Sequence, residues 1–265
     1  MILSIAGYDP SSGAGITADV KTAAAQGCFA ATCITALTVQ STEGVFAVRP
    51  LEPELVARTL NTLADDLDIA AVRIGMLGSG SVAGVVTGFL TSRRLPNIVL
   101  DPVIRSSSGT ALLDEIGVEM LRALLPLCTV VTPNVDEAAE LAVTEPLPAD
   151  ACRDEAVSWL RSTARRLHDL GARNVVITGG HLPEANDYLS YEQVKVLTEE
   201  VIPGERLESR STHGTGCAFA TAIACQLAFG KRLPEAVRAA KDYVRRTILT
   251  AYPLGRGTGP VNHLG

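Results

Sequence analysis

Short apolar runs rich in β-branched residues alternate along this chain with longer stretches whose apolar positions recur every three or four residues. Residues 2–6 read as a strand, 15–26 as a helix closed by Gly27, and 29–39 as a second strand. Pro53 opens a helix whose apolar positions Val56, Leu60, Leu63 and Leu67 make one buried face. The pattern then predicts a strand over 70–76, a helix over 82–90, a strand over 97–103, a helix over 115–125 and a strand over 129–132. Farther on come an amphipathic helix over 151–170 bearing Trp159, a strand over 175–178 and a hairpin or strand pair over 188–202. Helices over 217–229 and 234–251 complete the chain. Such alternation calls for a mainly parallel sheet covered by helices on both faces, and no linker or repeat divides residues 1–265 into more than one domain.

A chain of 265 residues can bury a substantial core without staples. Lys and Arg number 23 against 29 acidic residues, a net charge of −6 with no long run of one sign, which argues against a nucleic-acid partner. The six cysteines form no C-x-x-C pair and no histidine stands at metal-ligand spacing, so neither a zinc site nor a redox motif is indicated. The N-terminus lacks the basic and apolar regions of a signal peptide, and no stretch reaches membrane-spanning length. These features predict a cytoplasmic protein with reduced thiols and no membrane partner.

The chemistry gathers at Ser211-Thr212-His213-Gly214-Thr215-Gly216-Cys217, directly before the apolar run 218–229. A helix start leaves backbone N–H groups unpaired at the positive end of its dipole, so a Gly-x-Gly turn there can wrap phosphate. Cys217 stands on that first turn, where a thiol gains thiolate character. Small residues there also suit close helix packing, and a cysteine before an apolar run suits a core; the motif alone leaves both readings open.

Residues after the other predicted strands face the same side of the sheet, where ligands bind in such folds. Gly13-x-Gly15-x-x-Ala18 matches a relaxed dinucleotide fingerprint, but six residues separate it from the strand and Gln40 stands where a ribose-binding acid is wanted. The amide of Gln40 offers donor and acceptor side by side, matching the ring nitrogen and exocyclic amine of an aminopyrimidine; capping of loop backbone is the plainer alternative. Met76 suits a flat ring or a core gap. Asn134 and Glu137 have capping-box spacing, and the same spacing could hold the water shell of Mg²⁺ beside phosphates.

Taken together, these stretches resemble the hydroxymethylpyrimidine/phosphomethylpyrimidine kinases of thiamine biosynthesis, which are ribokinase-like. The resemblance rests on Ile5-Ala6-Gly7 with Asp9-Pro10-Ser11 and Gly13-Ala14-Gly15-Ile16, on Ala18-Asp19-Val20-Lys21-Thr22, Ile34-Thr35-Ala36-Leu37, Gly75-Met76-Leu77 and Asp101-Pro102-Val103. It continues through Thr132-Pro133-Asn134 with Glu137-Ala138, Gly179-Gly180-His181 and the segment ending at Cys217. The resemblance implies a three-layer α/β/α fold with a central, mostly parallel sheet. It also implies a homodimer and transfer of a phosphoryl group from ATP to a small pyrimidine alcohol and its monophosphate. It assigns Gln40, Gly7, Asp19, Met76 and Val103 to the substrate, and Gly214, Thr215, Gly216 and Cys217 to the transfer site, with Cys217 as general base. Asn134, Glu137, Thr178, Gly180, Thr212 and His213 fall to the nucleotide, with Glu137 meeting Mg²⁺ through water; a monovalent cation is left open.

Two positions depart from the family pattern: Thr178 stands where lysine is common, and Arg256 where histidine is more usual. The missing charge then falls to the metal, the helix dipole, Arg105 or Arg256. Pyridoxine kinases share the fold and remain an alternative, as does a nucleotide-binding regulator without catalysis. The ring edge discriminates the first, since pyridoxine lacks the exocyclic amine that Gln40 would read.

Overall fold

The computed structural model describes residues 1–106, 109–180, 182, 184–194 and 196–265. In chain order the elements are β1 (Ile2–Tyr8), α1 (Gly15–Ala25), β2 (Ala30–Ser41), β3 (Gly44–Pro50), α2 (Pro53–Asp66), β4 (Ala71–Ile74), α3 (Gly80–Arg93) and β5 (Ile98–Leu100). They continue with α4 (Glu115–Leu124), β6 (Val130–Val131), α5 (Val135–Ala142), α6 (Arg153–Asp169), β7 (Val175–Ile177), β8 (Asp187–Gln193), β9 (Val196–Ile202), α7 (Thr215–Ala228) and α8 (Leu233–Leu249).

The nine strands form one sheet in the order β3-β2-β1-β4-β5-β6-β7-β8-β9. Strands β2 to β7 within that order run parallel, whereas β3 and the β8–β9 pair add antiparallel edges. Alternation along each strand divides the core. Leu3, Ile5, Val72 and Ile74 pack toward α2 to α6, and Ile2, Ala71, Val99 and Val176 pack toward α7 and α8. This is the expected α/β/α architecture with a mostly parallel sheet. Among the described residues, no helix is long and apolar enough to cross a membrane.

The sequence pattern missed β3. Residues 44–50 mix Gly, apolar residues, Arg49 and Pro50, and only antiparallel pairing with the long β2 makes a strand of them. A register shift between Val39 and Gln40 locally kinks that ribbon. Strands β4 and β5 are shorter than expected, since residues 75–76 and 101–103 leave the ladder where the chain turns outward. Pro102, which has no N–H to give a neighbouring strand, assists the second departure.

The chain leaves β1 through α1 to β2 on one side and returns from β3 through α2 to β4 on the other side of β1, so a crevice opens above the carboxyl ends of β1 and β4. The C-terminal segment reinforces its rim. His263 is buried, its Nε2 donates to the Gly13 carbonyl at 3.1 Å, and its Nδ1 lies 3.3 Å from Thr22 Oγ1. Burial pushes the imidazole from 6.5 down to about 4. An unfolded chain therefore takes up the proton first, so the stabilisation is whole above 6.5 and is lost as pH falls toward 4. Denaturation of His263→Gln is expected to show roughly 3 kcal/mol less acid destabilisation than the parent between about pH 7 and 4, and parallel curves would contradict it.

Candidate active site

Helix α7 is apolar nearly all round, and residues 218–227 are buried along its length. Helices of that kind belong inside a protein. Its N-terminus, however, opens on the crevice. The N-cap Gly214 has φ +87° and offers no side-chain cap, so the first N–H groups of the helix find no side-chain partner there, and the Thr215 N–H reaches back to the Thr212 carbonyl at 3.4 Å. A Cβ at Gly214 would stand 1.8 Å from the Gly13 carbonyl oxygen, so this turn requires glycine both by conformation and by space. Residues 214–217 and the start of α1 thus line one concavity of about 1060 Å³.

Gly214, Thr215, Gly216 and Cys217 line this cleft together with Thr212 and His213. Across from them stand Gly7, Gln40, Met76 and Val103. Met76 belongs to a small apolar cluster with Ala36 and Leu112, against which Val45, Val48 and Val103 pack; it serves wall and core at once. Asn134, Glu137, Thr178 and Gly180 line the remaining side. His181, next to Gly180 in the Gly-Gly-His motif, lies outside the described residues.

Asp19 requires a correction. It is fully buried and does not line the cleft: it points under α7, where Ser4 Oγ and Thr221 Oγ1 donate to its two oxygens at 2.6 and 2.7 Å. The side chain that sequence reasoning missed lies beside it. Arg73, mid-strand on β4 and also fully buried, places Nη1 3.2 Å from Asp19 and donates from Nη2 to Asp101 at 2.6 Å. Burial works to discharge the guanidinium, but Asp19, Cys217 and Asp101 keep it firmly protonated.

The Cys217 thiol also differs from expectation. Burial pushes it up to about 12; Arg73 draws it down, while Asp101 and Asp19 oppose ionisation. Desolvation outweighs the helix N-terminus here, although Cys217 is only partly buried and lines the cleft.

Asn134 and Glu137 form the capping box in full. Glu137 N–H donates to Asn134 Oδ1 at 2.9 Å, and Asn134 N–H donates to Glu137 Oε2 at 2.9 Å. Burial, then the negative charge of Asp101, pushes the Glu137 carboxyl up to about 8. Crowded carboxyl groups of this kind fit a nearby divalent cation, which relieves their repulsion. Among the described residues no three acidic, histidine or cysteine side chains gather as a cage, and Mg²⁺ needs none because it keeps several waters.

Gln40 sits in a polar relay. Thr38 Oγ1 lies 3.1 Å from Gln40 Oε1 and donates to the Tyr8 carbonyl, and Gln40 Nε2 lies 3.1 Å from His213 Nε2. That same imidazole nitrogen is 2.8 Å from Asp9 Oδ2. Burial raises the Asp9 carboxyl, but hydrogen bonds from His213 and Ser11 overcome it and hold the group below its ordinary value. Asp9 is therefore the anion of the relay, and Nε2–H donates to it. Gln40 then meets the ring best with its amide oxygen, its NH₂ turned to Thr38.

Of the two arginines offered for the missing charge at Thr178, Arg105 lines the cleft, whereas Arg256 is exposed and lies outside its lining. Another cation is better held. Lys241 on α8 lines the cleft with Thr178 and Gly180, pairs with Asp187 at 2.7 Å and donates to the Ala185 carbonyl. Asp187 in turn accepts the Gly179 N–H at 2.9 Å. No sequence spacing links residues 178 and 241, so only the fold could show their proximity.

Residues 9–262 match the phosphomethylpyrimidine kinase family. The thiamine biosynthesis bifunctional protein ThiED of Geobacter sulfurreducens is 40% identical over 99% of this chain, and the chain spans about half of that relative, 52% of its length. A hydroxymethylpyrimidine/phosphomethylpyrimidine kinase of Streptomyces coelicolor is also 40% identical, over 99% of this chain and 94% of its own. The fold is similar to that of a Bacillus subtilis pyridoxal kinase solved as an ADP complex, with TM-score 0.86, 32% identity and coverage of 99% of this chain and 96% of that one. With its family match running through nearly the whole cleft-forming sequence, the chain belongs to the phosphomethylpyrimidine kinase family.

Proposed function

We propose that the chain transfers the γ-phosphoryl group of ATP to 4-amino-5-hydroxymethyl-2-methylpyrimidine, and phosphorylates the resulting monophosphate to the diphosphate, for thiamine biosynthesis. One observation carries the reading: a single cleft joins the 214–217 N–H cradle, the Cys217 thiol and the Gln40 amide. Phosphoryl transfer asks mainly for positioning and charge neutralisation, which those groups supply.

In this reading Gln40 pairs with the pyrimidine edge while Gly7, Met76 and Val103 flank the ring. Hydrogen bonds from the 214–217 N–H groups stabilise charge on the transferring phosphate. The substrate hydroxyl oxygen forms its bond to the γ-phosphorus as the bond to ADP breaks, and the bonding pair stays on ADP. The hydroxyl proton passes to the Cys217 sulfur as thiolate, a general-base role that forms no sulfur–phosphorus bond. Glu137 would hold Mg²⁺ through water, an ion that neutralises phosphate charge. Thr178, Gly180, Thr212 and His213 meet the nucleotide with Asn134, and Lys241 supplies the positive charge that Thr178 lacks. The continuous sheet supports residues 1–265 as one kinase domain, which we read as a cytoplasmic homodimer.

A pyridoxal kinase is the second reading, favoured by the likeness to the Bacillus subtilis enzyme. A panel of the pyrimidine, its monophosphate and pyridoxine under one Mg-ATP assay separates the two. Turnover of both pyrimidines is expected, and turnover of pyridoxine alone would overturn the substrate assignment. Steady heterocycle-dependent ADP release also excludes a non-catalytic regulator.

Replacing Cys217 with Ala should lower kcat by about 10²–10⁴ with little change in nucleotide affinity. An unchanged kcat removes it as base. Gln40→Leu leaves a polar ring edge unpaired, worth about 1–3 kcal/mol, so KM for the pyrimidine should rise on the order of ten- to a hundredfold while KM for ATP holds. Equal pyrimidine KM values would return Gln40 to a purely loop-ordering role.

A further inference from the structure

Below the cleft floor lies a charge cluster that the transfer reading leaves unused. Arg73 points from β4 toward α1 and α7, with Asp19 at 3.2 Å and Asp101 at 2.6 Å. The two hydroxyls that hold Asp19 come from β1 and α7, so three elements fix its orientation. The backbone closes over the guanidinium: a Cβ on Gly75 would sit 1.7 Å from Nη1. Nε and Nη1 of this buried group have no hydrogen-bond acceptor among the described residues, although Nη1 is within ion-pair distance of Asp19. Cys217 stands one turn before Thr221 on the same face of α7, and since Thr221 reaches Asp19 beside the guanidinium, the Cys217 sulfur is a further neighbour of Arg73.

We propose that Arg73 is a positioning residue for the transfer site: clamped by Asp19 and Asp101, it holds a fixed positive charge and unmatched N–H donors against Cys217, and Asp19 limits how much of that charge reaches the thiolate. The inference rests on the reading of Cys217 as base. Three acids, Asp19 from α1, Asp101 from the end of β5 and the thiol itself, compete for one cation. Glu137 on α5 acts at one remove, through Asp101, and the first turn of α7 carries no acidic residue. Arg73 touches no reacting atom. It acts by making the thiolate form available at the spot where the hydroxyl proton must go, and Asp19, moved from the substrate to this cluster, acts in the opposite sense.

The test is the rate of Cys217 alkylation by iodoacetamide as a function of pH in the full chain, read by mass spectrometry of the Cys217 peptide. Arg73→Met should slow alkylation at least about tenfold at a fixed pH below the thiol midpoint, equivalent to one pH unit. Asp19→Asn should speed it several-fold. Arg73→Lys keeps the charge without the fork and should fall between parent and Arg73→Met. Circular dichroism establishes which variants fold; should Arg73→Met fail, Arg73→Lys and Asp19→Asn decide by their opposite directions. Profiles within twofold of the parent in every folded variant, or Asp19→Asn slowing the reaction, would overturn the proposal. The profile reports the thiol whether or not it serves as base. If it shifts as expected while Cys217→Ala keeps full turnover, the base reading falls and the coupling of Arg73 to the thiol stands.

Discussion

The burial of α7 is the constraint on which the cleft depends. A helix with little polar surface must be enclosed, and this one packs against α1, α8 and the middle strands of the sheet. Enclosure fixes its axis and so fixes where its N-terminus emerges, beside the loop after β1. The 214–217 turn is thus positioned by apolar packing along the helix and left polar at one end. Because α1 packs on α7 over the same strands, its start reaches the same concavity. On the proposed transfer reading, a protein of net charge −6 would meet phosphate with a helix N-terminus rather than with a basic surface.

The same packing imposes an electrostatic cost. Arg73, Asp19 and Asp101 all lie out of water, and removing one partner from such a cluster costs about 3–5 kcal/mol. Replacing all of them with apolar side chains would be the more economical core. On the role proposed for Arg73, a charged cluster suits this fold because an apolar floor would leave a thiolate at Cys217 with no counter-charge. Burial already pushes that thiol up to about 12.

What the sequence disclosed and what it withheld divide along physical lines. Gly214 and Gln40 were legible because each sits in a local pattern: a turn before a helix, an amide closing a strand. The alternation of elements was enough for the layers. Asp19 was given to the substrate by the resemblance alone, and the structure sets it under α7, because what a helix face meets is decided by elements distant in sequence. The thiol of Cys217 was expected to ionise more easily than it does because the helix-end effect is local, whereas desolvation comes from strands distant in sequence. Arg73 carried no signal, since a lone arginine between apolar residues of a short strand looks like an exposed edge position. β3 escaped because its strand character comes from pairing with β2, not from its own alternation.

The contact between His263 and Gly13 bears on how the molecule is made. Two residues 250 positions apart share a hydrogen bond, and the stretch at Pro260 pairs with His213 beside the cradle. The N-terminal strands and helices can associate first, yet the rim of the cleft gains this support only once residues 260–263 are in place. A chain cut before Pro260 would keep its sheet and still present an unfinished rim beside His213.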